Sequence, residues 1–414
     1  MTSGLRRIDA ALDARWPRTL ALLQELVRAR ASSGHETAAQ AIVAERLRDA
    51  GCRVEVFDVD AERLSRLPDW GPTGLGYAGR PNVVAVLRGA GGGRSLILNA
   101  HVDAVAPGPS ELWVRDAWSA DIDGDHLHGR GSWDDKAGVA TLVWLVEALR
   151  DAEVRLAGDL IVESVIEEEI SGNGTLACAA RGYRADAAVV IDGRGPGSAV
   201  TAHCGQLWFR VTVLGRSAAA VESRRGANAI ELLLPVIERL HALEADLGRD
   251  AAVPFDGLPH SAQLNVGLVA GGVTPATVPA TASIDCHLAF PGPHTLEQVR
   301  AAVRETVAQS GVPAAVEFLS LQVPPFIAPE SEALLAALDR AQRQVIGTAL
   351  ERRTIAGFGD LRHFQHDGDT PSCLYGVTTG AEPHAPNEWV DLAPLPRAAR
   401  ILAAFVCNWC GTTA

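Results

Sequence analysis

The sequence predicts an α/β protein: a mixed, largely parallel sheet covered by helices, interrupted by an inserted α+β unit. Two observations carry that expectation. Over the first two hundred residues, strand-like apolar runs alternate with helical ones, the pattern of a sheet covered on both faces. Near His203 the texture changes to two long amphipathic helices among several strands, and after about Ser320 the first pattern returns.

In order, a helical run from Glu36 to Asp49 passes through Gly51 into the short strand Arg53–Phe57. Asn82 to Leu87, Ser95 to Val105, Asp159 to Val165 and Ala187 to Ile191 read as strands, with helices at Ala137–Arg150 and Thr175–Arg181 between some of them. Gly89 to Gly93 reads as a hairpin-like turn, since no helix follows it to bind phosphate. In the inserted unit, Gln206–Leu214, Ala262–Val269 and Ala282–Phe290 read as strands and Asn228–Leu247 and Thr295–Ser310 as helices. Helices near Ser331–Ile346 and Pro396–Cys407 follow. The simplest division is a catalytic domain from residues 1–204 and 319–414, interrupted by a lid or dimerisation domain at 205–318.

A chain of 414 residues can hold two or three compact cores. Its composition, 47% apolar and 21% charged, is that of a soluble globular protein. No run of eighteen apolar residues exists to span a membrane. The N-terminus lacks an apolar stretch with a cleavage site, so the expected compartment is cytoplasmic. A net charge of −13 without a basic stripe excludes nucleic acid as the expected partner. The seven dispersed cysteines fit a reducing compartment. Cys407 and Cys410 close an apolar helix and are read as packing, since no second pair with zinc spacing exists.

The chemistry concentrates at strand ends. The apolar strand beginning at Ser95 closes in His101-Val102-Asp103, and a period of two puts both polar side chains on one face. An imidazole beside a carboxylate suits a metal ligand held by an acceptor, although a lone strand-end histidine is also a common structural device. Gly129-Arg130-Gly131-Ser132-Trp133-Asp134-Asp135-Lys136 then makes a tight turn into a helix. It contains the only lysine of the chain. Its paired acids could cap that helix or bridge two cations. Leu160 to Val165 runs into Glu167, Glu168 and Glu169, either a solvated loop or a cluster whose mutual repulsion a metal pair would convert into coordination. Asp192 ends another apolar strand, and His384 lies in Pro383-His384-Ala385-Pro386-Asn387-Glu388. Two histidines, two aspartates and a glutamate form a donor set typical of zinc.

The ordered set H-x-D, G-R-G-x-x-D-x-K-x-G, E-E-E and late H-x-x-N-E resembles the di-zinc aminoacylase, acetylornithine deacetylase, succinyl-diaminopimelate desuccinylase and glutamate carboxypeptidase superfamily. The resemblance spans nearly the whole chain and includes Gly226–Ile230 and Thr277–Ala280. It implies a zinc-peptidase-like catalytic domain and two divalent ions, zinc first and cobalt or manganese as alternatives. His101, Asp134 and Asp192 would hold one ion and Asp134, Glu169 and His384 the other. Asp103 would orient His101, Glu168 would be the general base, and the Asp134–Asp135 peptide would be cis. The implied substrate is a small acylated amine or amino acid, and the implied assembly is a homodimer through the lid.

Three departures from the superfamily pattern stand out. Asp192 replaces a glutamate, and Ala219 stands where the lid usually has a histidine that helps bind the carbonyl, often across a dimer. His287 aligns with the lid arginine that grips a substrate carboxylate. Asn228 and Arg362 are the remaining candidates for substrate contact, Arg362 alternatively forming a salt bridge with Asp360. The expected activity is hydrolysis of an N-acyl C–N bond. Exopeptidase action on short peptides, or a non-catalytic or inactivated metal-binding protein suggested by Ala219, stand as alternatives.

Overall fold

The computed structural model describes residues 3–329, 331–365, 370–381 and 383–413. Its strands are β1 (Arg53–Asp58), β2 (Pro81–Leu87), β3 (Leu96–His101), β4 (Ile122–Asp123), β5 (His126–His128), β6 (Leu160–Val165), β7 (Ala188–Val190) and β8 (Ser198–His203). They continue as β9 (Gly205–Leu214), β10 (Gln263–Gly271), β11 (Thr281–Phe290), β12 (Ala314–Val323), β13 (Phe326–Ile327), β14 (Glu351–Ile355), β15 (Ser372–Tyr375) and β16 (Trp389–Asp391). The helices are α1 (Ser3–Arg28), α2 (Thr37–Asp49), α3 (Ala61–Leu64), α4 (Ala137–Asp151), α5 (Asn173–Ala180), α6 (Ala229–Arg249), α7 (Leu296–Gln309), α8 (Glu332–Ile346) and α9 (Leu395–Cys410).

The larger sheet has the order β1-β2-β6-β3-β7-β15-β8-β13, with β14 added beside β8. Its centre, β6-β3-β7-β15, is parallel, and antiparallel strands extend it on both sides. Every residue of β3 and β6 is buried, as a sheet with helices on both faces requires. This is the expected α/β catalytic architecture with a separate lid. The lid sheet, β10-β11-β9-β12, is antiparallel and supports its own core, in which Phe209, Val211 and Ile284 meet Leu233 and Val236 of α6 and Val299 and Val303 of α7. No helix among the described residues is long and apolar enough to cross a membrane.

The parallel centre explains why residues remote in sequence meet. Parallel neighbours end on the same edge, where α/β proteins place ligands. His101 closes β3 opposite Val165 of β6, and Asn99 lies opposite Val190 of β7. Two residues further along each chain, His101 and Asp192 therefore emerge level, with Glu167 to Glu169 just beyond β6.

Two sequence expectations change. Gly89 to Gly93 is not a hairpin, because β6 lies between β2 and β3. The segment crosses that edge with its glycines against the backbone at Ala157, Gly158 and Cys410, where a Cβ at Gly89 or Gly93 would overlap main-chain atoms. Helix α1, unassigned in the sequence, packs Ile8, Leu12, Leu22 and Leu26 into the main core despite Pro17 at its middle. Buried Arg15 ties it to Glu147 at 2.6 Å and Asp151 at 2.5 Å on α4. Cys410 is buried in α9 and Cys407 is largely so, both as free thiols, and His203 stacks on Phe326.

Candidate metal centre

The five residues singled out at the strand ends meet. One ligand atom from each of His101, Asp134 and Asp192 lies within 4.8 Å of the others, and the same holds for Asp134, Glu169 and His384. Asp134 belongs to both groups and divides its oxygens between them: Oδ1 is 3.1 Å from His101 Nε2, and Oδ2 is 3.3 Å from His384 Nε2. His384 Nε2 is also 2.9 Å from Glu169 Oε2. Asp103 stands behind His101, its backbone oxygen 3.1 Å and its Oδ1 3.5 Å from Nδ1. Its carboxylate also accepts from Ser33 Oγ and the Glu168 backbone N–H. One buried acid thus orients a ligand and anchors the loop that carries Glu168.

Electrostatics fit this pocket to cations. Burial and the charge of Asp134 push Asp192 up to about 7. Burial and the Asp134 charge also raise Glu169. Burial, together with Asp360, Asp192 and Glu169, raises Glu168 well above the carboxylate range. Burial opposes a proton on His384, yet Glu169 and Asp134 overcome it and push the group up to about 11. Acids raised together, beside imidazoles that the same acids hold protonated, mark a place where cations can take over from protons. The N/O donors suit two borderline divalent ions.

The turns that hold the ligands are built for it. The Asp134–Asp135 peptide is cis, as the resemblance implies. Glu388, the last residue of the H-x-x-N-E run, was not singled out in the sequence for a role. Its buried carboxylate accepts from Arg130 Nη1 at 2.6 Å and from the backbone N–H groups of Gly131, Trp133 and Asp134 at 2.9, 3.1 and 3.3 Å. This locks the loop bearing His384 to the turn bearing Asp134. His384 itself has a φ of +66°, a left-handed conformation uncommon among non-glycine residues.

A second clamp sits under the glutamate loop. Glu167, at φ +61°, accepts from Tyr77 Oη at 2.7 Å and pairs with Arg80 Nη1 at 2.8 Å. Arg80 also binds Glu36 through two nitrogens at 2.7 and 2.8 Å. Removing one member of a buried ion network strands the remaining charges. Arg80→Ala is therefore expected to lower the unfolding free energy by about 3–5 kcal/mol and to slow turnover by loosening Glu168. Urea unfolding followed by circular dichroism, beside steady-state assays, checks both effects; stability equal to wild type contradicts the clamp.

Two candidates lie elsewhere. Arg362 is buried beneath the site and gives its guanidinium to the carbonyls of Gly359 at 3.0 Å and Ser171 at 2.9 Å. It braces the glutamate loop rather than lining the cavity, and its Asp360 contact, at 3.7 Å, is buried rather than a surface bridge. The close approach needs Gly172, at φ +78°, where a Cβ would lie 2.5 Å from Arg362 Nη2. Asn228 caps α6 by accepting from the Ile230 N–H and lines a lid groove with Thr277 to Pro279, away from its own chain's centre. Ala219 is exposed in that same lid region, bridged to Thr277. His287 does reach the site: it lines a cavity of about 520 Å³ that also contains Trp133, Asp134, Glu168, Glu169, Asp192 and His384. Burial, then the neighbouring His384, lowers His287 to about 4, so it is no cationic substitute for an arginine.

Residues 97–408 match the family described as peptidase family M20/M25/M40. The chain belongs to this family. Membership makes it a metal-dependent hydrolase acting on C–N bonds. The chain is 27% identical to the N-formyl-4-amino-5-aminomethyl-2-methylpyrimidine deformylase of Halalkalibacterium halodurans, over 99% of this chain and 98% of that one. It is 28% identical to the succinyl-diaminopimelate desuccinylase of Leptothrix cholodnii, over 83% of this chain and 87% of that one. Among solved structures, human carnosine dipeptidase 1 shares the M20 fold with a TM-score of 0.81 at 17% identity, over 98% and 99% of the two chains.

Proposed function

We propose that this chain hydrolyses the amide C–N bond of a small N-acyl amino acid or acylated amine. In this reading residues 1–204 and 319–414 form the catalytic domain and 205–318 the lid. His101, Asp134 and Asp192 would hold one divalent ion and Asp134, Glu169 and His384 the other. Zinc suits these donors best, with cobalt and manganese as alternatives. The observation that carries the reading is one carboxylate, Asp134, shared by two ligand groups beside the buried Glu168.

When bound, such ions supply Lewis acidity toward the scissile carbonyl and make water acidic near neutrality. The protein's own residues do the rest. Glu168 takes a proton from the attacking water as the new C–O bond forms. It then delivers that proton to the departing nitrogen as the C–N bond breaks, giving a carboxylic acid and an amine. Asp103 fixes the His101 ring and, through the Glu168 backbone N–H, the position of the base. Trp133 and His287 line the cavity beside the ligand groups.

Homodimerisation through the lid is supported by exposed Leu268, Val269, Val273 and Leu234 on and beside edge strand β10. A partner would also give Asn228 and the Ala219 segment a site to approach. A cytoplasmic setting is supported by seven free cysteines. The retained Glu168 and full ligand set support catalysis over a binding role.

The test is amine release from a panel of N-formyl, N-acetyl and N-succinyl amines and amino acids, run beside di- and tripeptides. Acyl compounds should turn over at least about tenfold faster. Preference for peptides would favour the exopeptidase alternative, and release from neither would overturn the reading.

A further inference from the structure

We infer that His287 selects substrates presenting an N–H or O–H donor, and not a carboxylate, to the lid wall of the cavity. This deepens the amidohydrolase reading above and rests on it: of the two substrate classes left open there, it assigns acylated amines without an α-carboxylate.

The argument starts from register. β11 pairs with β9 so that His287 lies opposite Trp208, while Phe209 and Cys286 point the other way into the lid core. His287 thus stands on the open face of the lid sheet. It lines the metal-centre cavity and also an adjoining one of about 770 Å³, and His384 lines both as well. The ring therefore borders both cavities beside the ligand His384.

A relay then fixes which ring nitrogen carries the proton. Gln206 Nε2 is 2.7 Å from the Ala356 carbonyl. A carbonyl only accepts, so the Gln206 nitrogen must face it and the Gln206 oxygen must face the other way. That oxygen is 2.6 Å from His287 Nε2 and also only accepts. Nε2 therefore bears the hydrogen. In the neutral ring Nδ1 is then a lone pair. Among the described residues Nδ1 makes no hydrogen bond, and the ring that carries it lines the cavity.

Neutrality follows from the surroundings. The ring is largely buried, no carboxylate among the described residues is paired with it, and its one side-chain partner is the neutral Gln206 amide. An N–H or O–H of the substrate satisfies Nδ1. A carboxylate placed against Nδ1 meets a lone pair, where an arginine at this position would have offered donors. Sites built around one fixed acceptor discriminate in this way.

The test uses three matched amides, each N-formylated and N-acetylated: those of 2-aminobenzylamine, benzylamine and phenylglycine, the last being benzylamine with an α-carboxylate. For the zinc-loaded protein, kcat/KM is expected to be about tenfold higher for the aminobenzyl than for the benzyl amide, the effect of one hydrogen bond, and lowest for phenylglycine. In His287→Phe the first ratio should collapse toward one, and in His287→Arg the phenylglycine amide should gain. Metal content and melting temperature of each variant report on folding. A wild-type preference for the phenylglycine amide, or a His287→Phe ratio equal to wild type, overturns the inference alone. Release of no amine from the three, with amine released from the wider acyl panel, overturns the inference and leaves the amidohydrolase reading standing; release from neither set overturns both.

Discussion

Glu168→Gln is expected to lower kcat by about a hundred- to ten-thousand-fold, the span over which a positioned general base acts. The substitution keeps the size and leaves the backbone N–H of residue 168 free to bind Asp103. The ligand atoms of His101, Asp134, Glu169, Asp192 and His384 are untouched, so metal content should equal that of wild type. KM should change little, because the amide still occupies the same space. The checking measurements are amine release and elemental analysis on one preparation. Full activity in this variant would remove Glu168 from the chemistry, and loss of metal would show that its role is structural.

Asp134→Ala should abolish activity together with binding of both ions, whereas Asp192→Ala should weaken one site and spare the other. The contrast follows from Asp134 turning one oxygen toward His101 and the other toward His384. Without it, His101 and Asp192 are left as a two-ligand site, as are Glu169 and His384, each short of the donors a catalytic zinc site uses. Titration of the apoproteins with zinc, read by calorimetry, distinguishes the two variants. Two tight sites retained in Asp134→Ala would contradict the shared-ligand geometry.

The fold and the ligand set were legible in the sequence for a shared reason. Buried parallel strands read as continuous apolar runs, and three of the four here, β3, β6 and β7, run into acid or imidazole: His101, the glutamates after Val165, Asp192. The rule that ligands gather at the carboxyl ends of strands then joins residues that lie far apart. What the sequence hid is what depends on single pairs at long separation. Glu388 caps the Asp134 turn, and Arg80 joins Glu36 to Glu167, with no periodicity to announce either. Arg362 had the right chemistry for an anion but is spent on two carbonyls beneath the loop. Asn228 is a helix cap whose reach depends on what stands beside the lid. The role of His287 lies in which nitrogen faces Gln206, and that needs coordinates.

The central claim is that two cations sit side by side with Asp134 between them. Elemental analysis of the zinc-loaded protein, with anomalous scattering from its crystals, tests this most directly. Two ions per chain are expected, one among His101, Asp134 and Asp192 and the other among Asp134, Glu169 and His384. A single ion, or a pair bound away from Asp134, would contradict it.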